Sequence, residues 1–449
     1  MEGDSNSDDT NSTMLNMYTT LADLSMQESL GKASAMSKAT PALWDALPQE
    51  LEDKVLANLR LQELYRTRAV CKSFRQAIHR HTFRHARRQF LMSSSICSSS
   101  SSIPSHVHEG SFSPIVLFVN PLGIWEWSGY HLELQKWIKL PTLSCLPAPD
   151  RRVLKNFFVA GCDGLLCINI ANPFERSVEK LIVCNPLTQS SLELPPLNYR
   201  RHPVLLHVLV DHANNSFMIL VAGSSSMGSE HLCRKTEVYD SLTSSWEVVA
   251  DLPGPDFGLN EYQVGVHLNG IIYCIVLTSQ AEDEADDDDA APIQCCKGLL
   301  AYSLKDKTWS SNSSYILPRL SSDAAFATTQ LLECNGSIYV FSEQELYGSH
   351  VHFCIAKFDG SDWTVVVNEK RKGYSRGLLV YPEYVCLAHG EGKLCIFNAV
   401  EHTMVVYDIN SNTKESLTPL PVEHSAGMSK VHTLNPLPFV FRPSFDTAI

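Results

Sequence analysis

The spacing of apolar residues changes twice along this chain. Residues 1–40 mix Ser, Thr, Asp, Asn and Met without a sustained period. They bury too little apolar area to offset the entropy of ordering, which predicts a disordered acidic and polar tail. From Trp44 the pattern turns helical: Leu51, Val55, Leu56 and Leu59 fall on one stripe, and Leu64, Arg68, Cys71, Phe74 and Ile78 on a second. Two short amphipathic helices are predicted within a module spanning 41–90. Pro48 sits where a first-turn proline belongs, because the N–H it lacks has no helical partner there. A serine run from Ser93 to Ser102, interrupted by Ile96 and Cys97, predicts a flexible linker over 91–110.

After Ile115 the helical period gives way to short β-branched and aromatic runs between turn residues, the pattern of antiparallel strands. These runs repeat. Tyr130 precedes Trp137 by seven residues, as Cys184 does Ser191, Tyr239 does Trp246, Tyr302 does Trp309 and Tyr407 does Lys414; Phe358 and Trp363 form a copy two residues tighter. The second members are 54, 55, 63, 54 and 51 residues apart, and the long interval holds an acidic insert at 282–289. Turn dipeptides recur in step: Asp163-Gly164, Asn214-Asn215, Asn269-Gly270, Asn335-Gly336 and Glu391-Gly392. Asn-Gly and Asp-Gly favour tight hairpins because both central residues need positive φ.

A period near 50 residues with several strands per copy is the signature of a β-propeller. Six copies fit within 111–443. The first is short, and Leu437 to Arg442 (LPFVFR) is a leftover strand-like run, so the sequence predicts that this run completes the first blade and closes the ring. Residues 444–449 are read as a C-terminal tail.

Charge narrows the function classes. The net charge is -13, with seven acids and no base between Glu282 and Asp289 and six acids against two lysines in 1–40. An acidic chain is repelled by phosphate backbones, which argues against direct nucleic-acid binding. Between Arg60 and Arg88 nine basic residues face one acid, Glu63, but without interleaved aromatics they read as a solvated helix face. The Met1 end has no apolar signal segment, and no apolar run approaches the ~20 residues of a bilayer span. The chain is therefore expected in the nucleus or cytoplasm, without a membrane partner. Its 14 cysteines are read as reduced thiols, many of them serving as small core residues.

Chemistry-bearing motifs are missing where they would be looked for. There is no Cys-x2-Cys pair, and neither Cys295-Cys296, His79 with His81, nor His350 with His352 has a partner at zinc spacing. The acidic insert lacks the glycine and ligand alternation of a calcium loop. No nucleophile elbow, phosphate loop or dinucleotide fingerprint occurs. No metal or cofactor is expected. A propeller enzyme with a site assembled from distant residues around the channel stays open as an alternative, as does a plain interaction scaffold.

The segment 41–75, PALWDALPQELEDKVLANLRLQELYRTRAVCKSFR, resembles the F-box: Leu47-Pro48, then Leu51, Val55, Leu56, Leu59 and Leu64, then Val70-Cys71-Lys72 and Phe74. Arg60 stands where a proline is frequent, and Phe74 where tryptophan is common. The repeats resemble kelch-type blades, with Asp163-Gly164-Leu165-Leu166 in place of a glycine doublet. Cys-Asn-Pro-Leu-Thr (184–188) before Leu-Pro-Pro (194–196) looks like plant F-box/kelch-repeat proteins.

The resemblance implies a multidomain protein: a small all-α F-box followed by an all-β kelch-type propeller of six blades. It implies a non-catalytic substrate-recognition subunit of a Skp–cullin–F-box ubiquitin ligase. Such a subunit partners a Skp-family adaptor and, through it, cullin and RING subunits, while the propeller holds an unidentified protein substrate. Leu47, Pro48, Leu51, Leu64, Val70, Cys71 and Phe74 are the expected adaptor-binding residues.

Overall fold

The computed structural model describes residues from Trp44 onward, leaving out several connections, the longest of them 97–111, 148–157, 171–178, 225–232, 280–294, 318–326, 373–383 and 422–436. The expected tail over 1–40, most of the expected linker and the acidic insert lie outside the described residues.

Four helices occupy the N-terminal part: α1 (Gln49–Ala57), α2 (Leu61–Val70), α3 (Lys72–His79) and α4 (His81–Ile96). Two stripes thus become four helices, for identifiable reasons. The second stripe breaks at Cys71, whose backbone is extended and whose Sγ accepts the Phe74 N–H as an N-cap, leaving α2 and α3 as separate elements. Arg80, also extended, separates α3 from α4. Helix α4 continues through Ser93–Ser95, so the start of the serine run is helix and not linker.

The remaining chain forms six sheets of antiparallel strands. The first blade contains β1 (Phe112–Val119), β2 (Trp125–His131) and β3 (Lys136–Lys139). The second contains β4 (Phe158–Cys162), β5 (Leu165–Asn169), β6 (Leu181–Asn185) and β7 (Ser190–Glu193). The third contains β8 (Leu205–Asp211), β9 (Ser216–Ala222), β10 (Thr236–Asp240) and β11 (Ser245–Val248). The fourth is built on β14 (Ile271–Ser279) and β15 (Cys295–Ser303), flanked by the short β12 (Phe257–Gly258) and β13 (Val266–Leu268) on one side and β16 (Thr308–Trp309) and β17 (Tyr315–Ile316) on the other. The fifth contains β18 (Ala327–Cys334), β19 (Ser337–Leu346), β20 (His350–Phe358) and β21 (Trp363–Lys372). The sixth contains β22 (Tyr384–Gly390), β23 (Lys393–Asn398), β24 (Met404–Asp408) and β25 (Thr413–Leu417). First strands of neighbouring blades touch, β4 with β8, β13 with β18 and β18 with β22, and so line the axis.

Ring closure agrees with the expectation. Strand β26 (Leu437–Phe439) pairs with β1, setting Ile115 opposite Phe439 and Leu117 opposite Leu437, and takes the first-strand place of the first blade. The paired run is shorter than 437–442, and the residues after it do not form a loose tail. Gly164 N donates to the Arg442 carbonyl at 2.9 Å, and Asn185 Nδ2 donates to the carbonyls of Ser444 (3.0 Å) and Thr447 (2.9 Å). Phe445 is fully buried. The segment after β26 is thereby fixed to the second blade by apolar burial and satisfied backbone carbonyls.

Each seven-residue pair is a cross-strand pair: Tyr130 faces Trp137, Cys184 faces Ser191, Tyr239 faces Trp246, Tyr302 faces Trp309 and Tyr407 faces Lys414, with Phe358 facing Trp363. The spacing is that of the hairpin joining the third and fourth strands, and two residues before the second member Gln135, Gln189, Ser244, Lys307 and Asn412 all have positive φ. The turns at 163–164, 269–270 and 335–336 carry positive φ at both residues, as Asp-Gly and Asn-Gly predict. Asn214-Asn215 differs. Only Asn215 is left-handed, and Asp211 Oδ1 accepts from the N–H groups of Ala213 and Asn214.

The tryptophans also join blades. Trp137 Nε1 donates to the Thr418 carbonyl (2.9 Å), Trp246 Nε1 to the Pro195 carbonyl (2.8 Å) and Trp309 Nε1 to Thr236 Oγ1 (2.9 Å), each partner belonging to the preceding blade. In the sixth blade, where Lys414 replaces tryptophan, its Nζ donates to Glu369 on β21 at 3.2 Å.

Candidate functional site

The described residues fall into two units, one up to Glu52 and one from Asp53 onward, with the boundary inside α1. Helix α1 begins at Pro48, whose carbonyl accepts from Leu51 N (2.9 Å) and Glu52 N (3.1 Å). Its faces are mixed: it buries Leu56 and Ala57 and exposes Glu50 and Lys54 in the ordinary way. Glu52 and Asp53 are buried, whereas Leu51 (47% exposed) and Val55 (48%), one turn apart, face outward. Asp53 is paired with Arg80 at 3.6 Å.

In the second unit Leu56, Leu64, Ile78 and Phe83 are buried. Arg87, also buried, donates to the carbonyls of Ala57 and Leu59, groups left without helical partners where α1 ends. Val70, the last residue of α2, is 70% exposed, with exposed Cys71 next to it. Phe74 is half-buried.

The expected adaptor-binding residues therefore separate. Pro48, Leu51, Val70 and Cys71 are exposed, and Leu47 and Phe74 are half-buried. Leu64 is fully buried and holds the helices together, so it offers no outward face. Val55, on the same stripe as Leu51, is exposed as well. Periodicity marks both kinds of leucine and valine alike, so no signal in the sequence distinguishes them.

The basic stretch is less solvated than expected. Besides Arg80 and Arg87, Arg68 donates to the Leu187 carbonyl and Arg88 to the His212 carbonyl. Leu187 lies in the turn between β6 and β7, and His212 in the turn between β8 and β9. In antiparallel blades these turns share one face, and the helices from α2 onward are attached to it. His212 Nε2 lies 3.3 Å from Asp163, whose carboxyl is held below its ordinary value by that bond.

On the opposite face one loop is described in detail. Asn198 N and Tyr199 N donate to Glu237, and the buried Arg201 guanidinium pairs with the same carboxylate while also donating to the carbonyls of Tyr199, Gly223 and Lys235. Arg201 is thus an internal strut. It leaves Tyr199 exposed, with Lys235 Nζ 5.0 Å above its ring. Near the axis His207 and His267 lie with ring centroids 6.2 Å apart, and burial pushes His207 down to about 4. Among the described residues no group of three or more His, Cys, Asp or Glu is placed to hold a metal ion, and no helix is long and apolar enough to cross a membrane.

Comparison with known families decides what the two parts are. The F-box domain profile matches residues 44–86, and the profile of the F-box associated beta propeller domain matches residues 128–296. The chain carries an F-box domain and an F-box associated propeller. The six blades extend that propeller well beyond the matched residues, to β26. An F-box/kelch-repeat protein of Arabidopsis thaliana is 28% identical over 247 residues, which cover 54% of this chain and 51% of that protein. An F-box protein of the same plant is 24% identical over 131 residues, 28% of this chain and 33% of that one. The chain thus spans about half, or less, of the curated relatives it matches. Among solved structures, one from a nidogen/laminin complex is matched at a TM-score of 0.37 and 8% identity, covering 68% of this chain and 94% of that one.

Proposed function

We propose that this protein is the substrate-recognition subunit of a Skp–cullin–F-box ubiquitin ligase, in which the F-box docks on a Skp-family adaptor and the propeller recruits a target protein. The observation that carries this reading is the outward placement of two apolar residues of α1, with Leu51 and Val55 half-exposed beside buried Glu52 and Asp53. A helix that turns apolar residues outward gains by being covered. Val70 and Cys71, exposed where α2 ends, belong to the same proposal, as do Pro48 and the half-buried Leu47 and Phe74. The protein's contribution is proximity: a bound target is held at high effective concentration near a charged conjugating enzyme, and no side chain of this chain carries the acyl transfer.

Recognition is assigned to the propeller face opposite the helices. That face carries the 198–202 loop with exposed Tyr199.

The test is co-purification from cells. Wild type is expected to bring down a Skp-family adaptor and a cullin, and Leu51→Ser with Val55→Ser to reduce both at least tenfold without altering target capture. If wild type brings down neither, the ligase reading is wrong and a scaffold without ubiquitination replaces it.

A further inference from the structure

The outer strands of the blades differ in length. Strands β3, β7 and β11 have four residues each, β25 has five, and the fourth blade ends in two runs of two, whereas β21 has ten. A short outer strand leaves few backbone N–H and C=O groups facing away from the ring, which protects the sheet edge against pairing with another chain. The fifth blade lacks that protection. Strand β21 ends its sheet with β20 as its neighbour, and among the described residues no backbone group of 367–371 bonds beyond that hairpin.

A bulge divides the strand. Ala356 is opposite Val365 and Ile355 opposite Val367, so Val366 is passed over in the register. From Val367, opposite Ile355, to Lys372, opposite His350, the pairing is unbroken. Six residues in register present an edge of about 20 Å. The strand runs away from the turn at 359–362, the counterpart of the helix-side turn at 186–189, and its regular end therefore lies toward the opposite face.

This edge is cationic. Glu369 is already engaged, because Arg371 of its own strand and Lys414 of the sixth blade donate to it at 3.1 and 3.2 Å. Lys370 between them is exposed and has no ion-pair partner among the described residues. The whole chain carries a net charge of -13 and repels acidic partners on average, so an acidic segment is held only where cations locally outnumber acids.

We propose that the 367–372 edge of β21 takes up an extended acidic segment of the target protein as a fifth strand of the fifth blade. The inference rests on the substrate-recognition reading given above. The segment's backbone pairs with the free N–H and C=O groups of β21, and its carboxylates complement Lys370 and Arg371. In strand addition of this kind the main chain supplies affinity and alternate side chains supply selectivity. A second copy of this chain is a poorer occupant, because it would bring its own Lys370 and Arg371 to an edge that is already cationic.

The experiment follows the fluorescence anisotropy of a labelled, end-blocked octapeptide of alternating valine and glutamate as native full chain is added. Wild type is expected to bind it, more weakly as salt is raised. Lys370→Glu, with its fold checked by circular dichroism, is expected to bind roughly tenfold more weakly. The same peptide with N-methyl groups on all its backbone amides keeps its charge but cannot pair as a strand, and is expected not to bind. Absence of wild-type binding, equal binding of the methylated peptide, or binding unaffected by Lys370→Glu would overturn the proposal. So would light scattering that finds wild type dimeric and Lys370→Glu monomeric, which would make a second copy the occupant. Adaptor co-purification separates the two readings: a chain that captures the adaptor but not the peptide removes this inference alone. Peptide binding by a chain that captures no adaptor supports the edge and removes the ligase.

Discussion

The helices and the propeller use the same apolar residue types in opposite ways. In the propeller, strand residues such as Leu165, Ile219, Ile272 and Phe341 are fully buried. Neighbouring blades bury one another there; Val183 and Leu194 pack with Ile219 and Tyr239. In the helical part only Leu56, Leu64, Ile78, Phe83 and a few others are buried, while Leu51, Val55 and Val70 face outward. A closed ring supplies its own cover for every sheet, whereas four short helices have too little interior to take all their apolar residues. The apolar residues that the helices leave uncovered are available to a partner, whereas the propeller's exposed aliphatic residues, such as Leu192, Val248 and Val365, are scattered singly over separate blades.

That contrast breaks most severely if the propeller's own polar interior fails. Arg201→Ala leaves the buried Glu237 carboxylate without its cation, and a loss of roughly 3–5 kcal/mol in unfolding free energy is expected from urea titration. An effect below about 1 kcal/mol would mean that the pair does not brace the loop. Next in size is the division within the helices. Leu64→Ala should cost about 3 kcal/mol, while Val70→Ala changes stability by no more than ~0.5 kcal/mol and weakens adaptor binding. Equal stability costs at the two positions would erase the distinction between core and outward residues.

Acid should affect the propeller first. Burial holds His207 at about 4 in the folded ring, below its unfolded value near 6.5, so the neutral form carries the stability. Its contribution is present above about pH 6.5 and is lost progressively as the pH falls towards 4, roughly 3 kcal/mol in all. His267, also lowered by burial, adds in the same direction. In His207→Gln the pH dependence of Tm over that window should flatten; an unchanged slope would remove His207 as its source. The smallest effect compares two repeats. Trp246→Phe abandons the Pro195 carbonyl and should cost about 1–2 kcal/mol, whereas the buried Trp363 Nε1 has no partner and Trp363→Phe should cost less than about 1 kcal/mol. Trp363→Phe costing as much as Trp246→Phe would show that the indole ring, and not its N–H, joins the blades.

The propeller was legible from the sequence because its signals are local and repeated. Every seven-residue pair became a cross-strand pair, since a hairpin keeps its partners close in the chain, and the closing strand was found because one copy was a strand short. The helices were legible in place but not in number, because Cys71 reads as an apolar position and acts as a cap. The outward set was only partly legible. Leu64 and Val70 look alike until their neighbours in space are known, and the contacts of Arg68 and Arg88 go to backbone carbonyls, which carry no sequence signature. The anchoring of Ser444 and Thr447 was hidden for the same reason.

Closure by β26 has a consequence for incomplete chains. Ile115 and its partner Phe439 are 324 residues apart, so the first blade is finished only by a segment synthesised long after the F-box. A chain that stops between the fourth blade and β26 keeps all four helices, Leu51, Val55 and Val70 included, but has an open ring with an unpaired edge at β1. Under the proposed function such a product would occupy an adaptor without presenting a finished recognition surface, and would act as a competitor of the intact protein rather than as a weaker version of it.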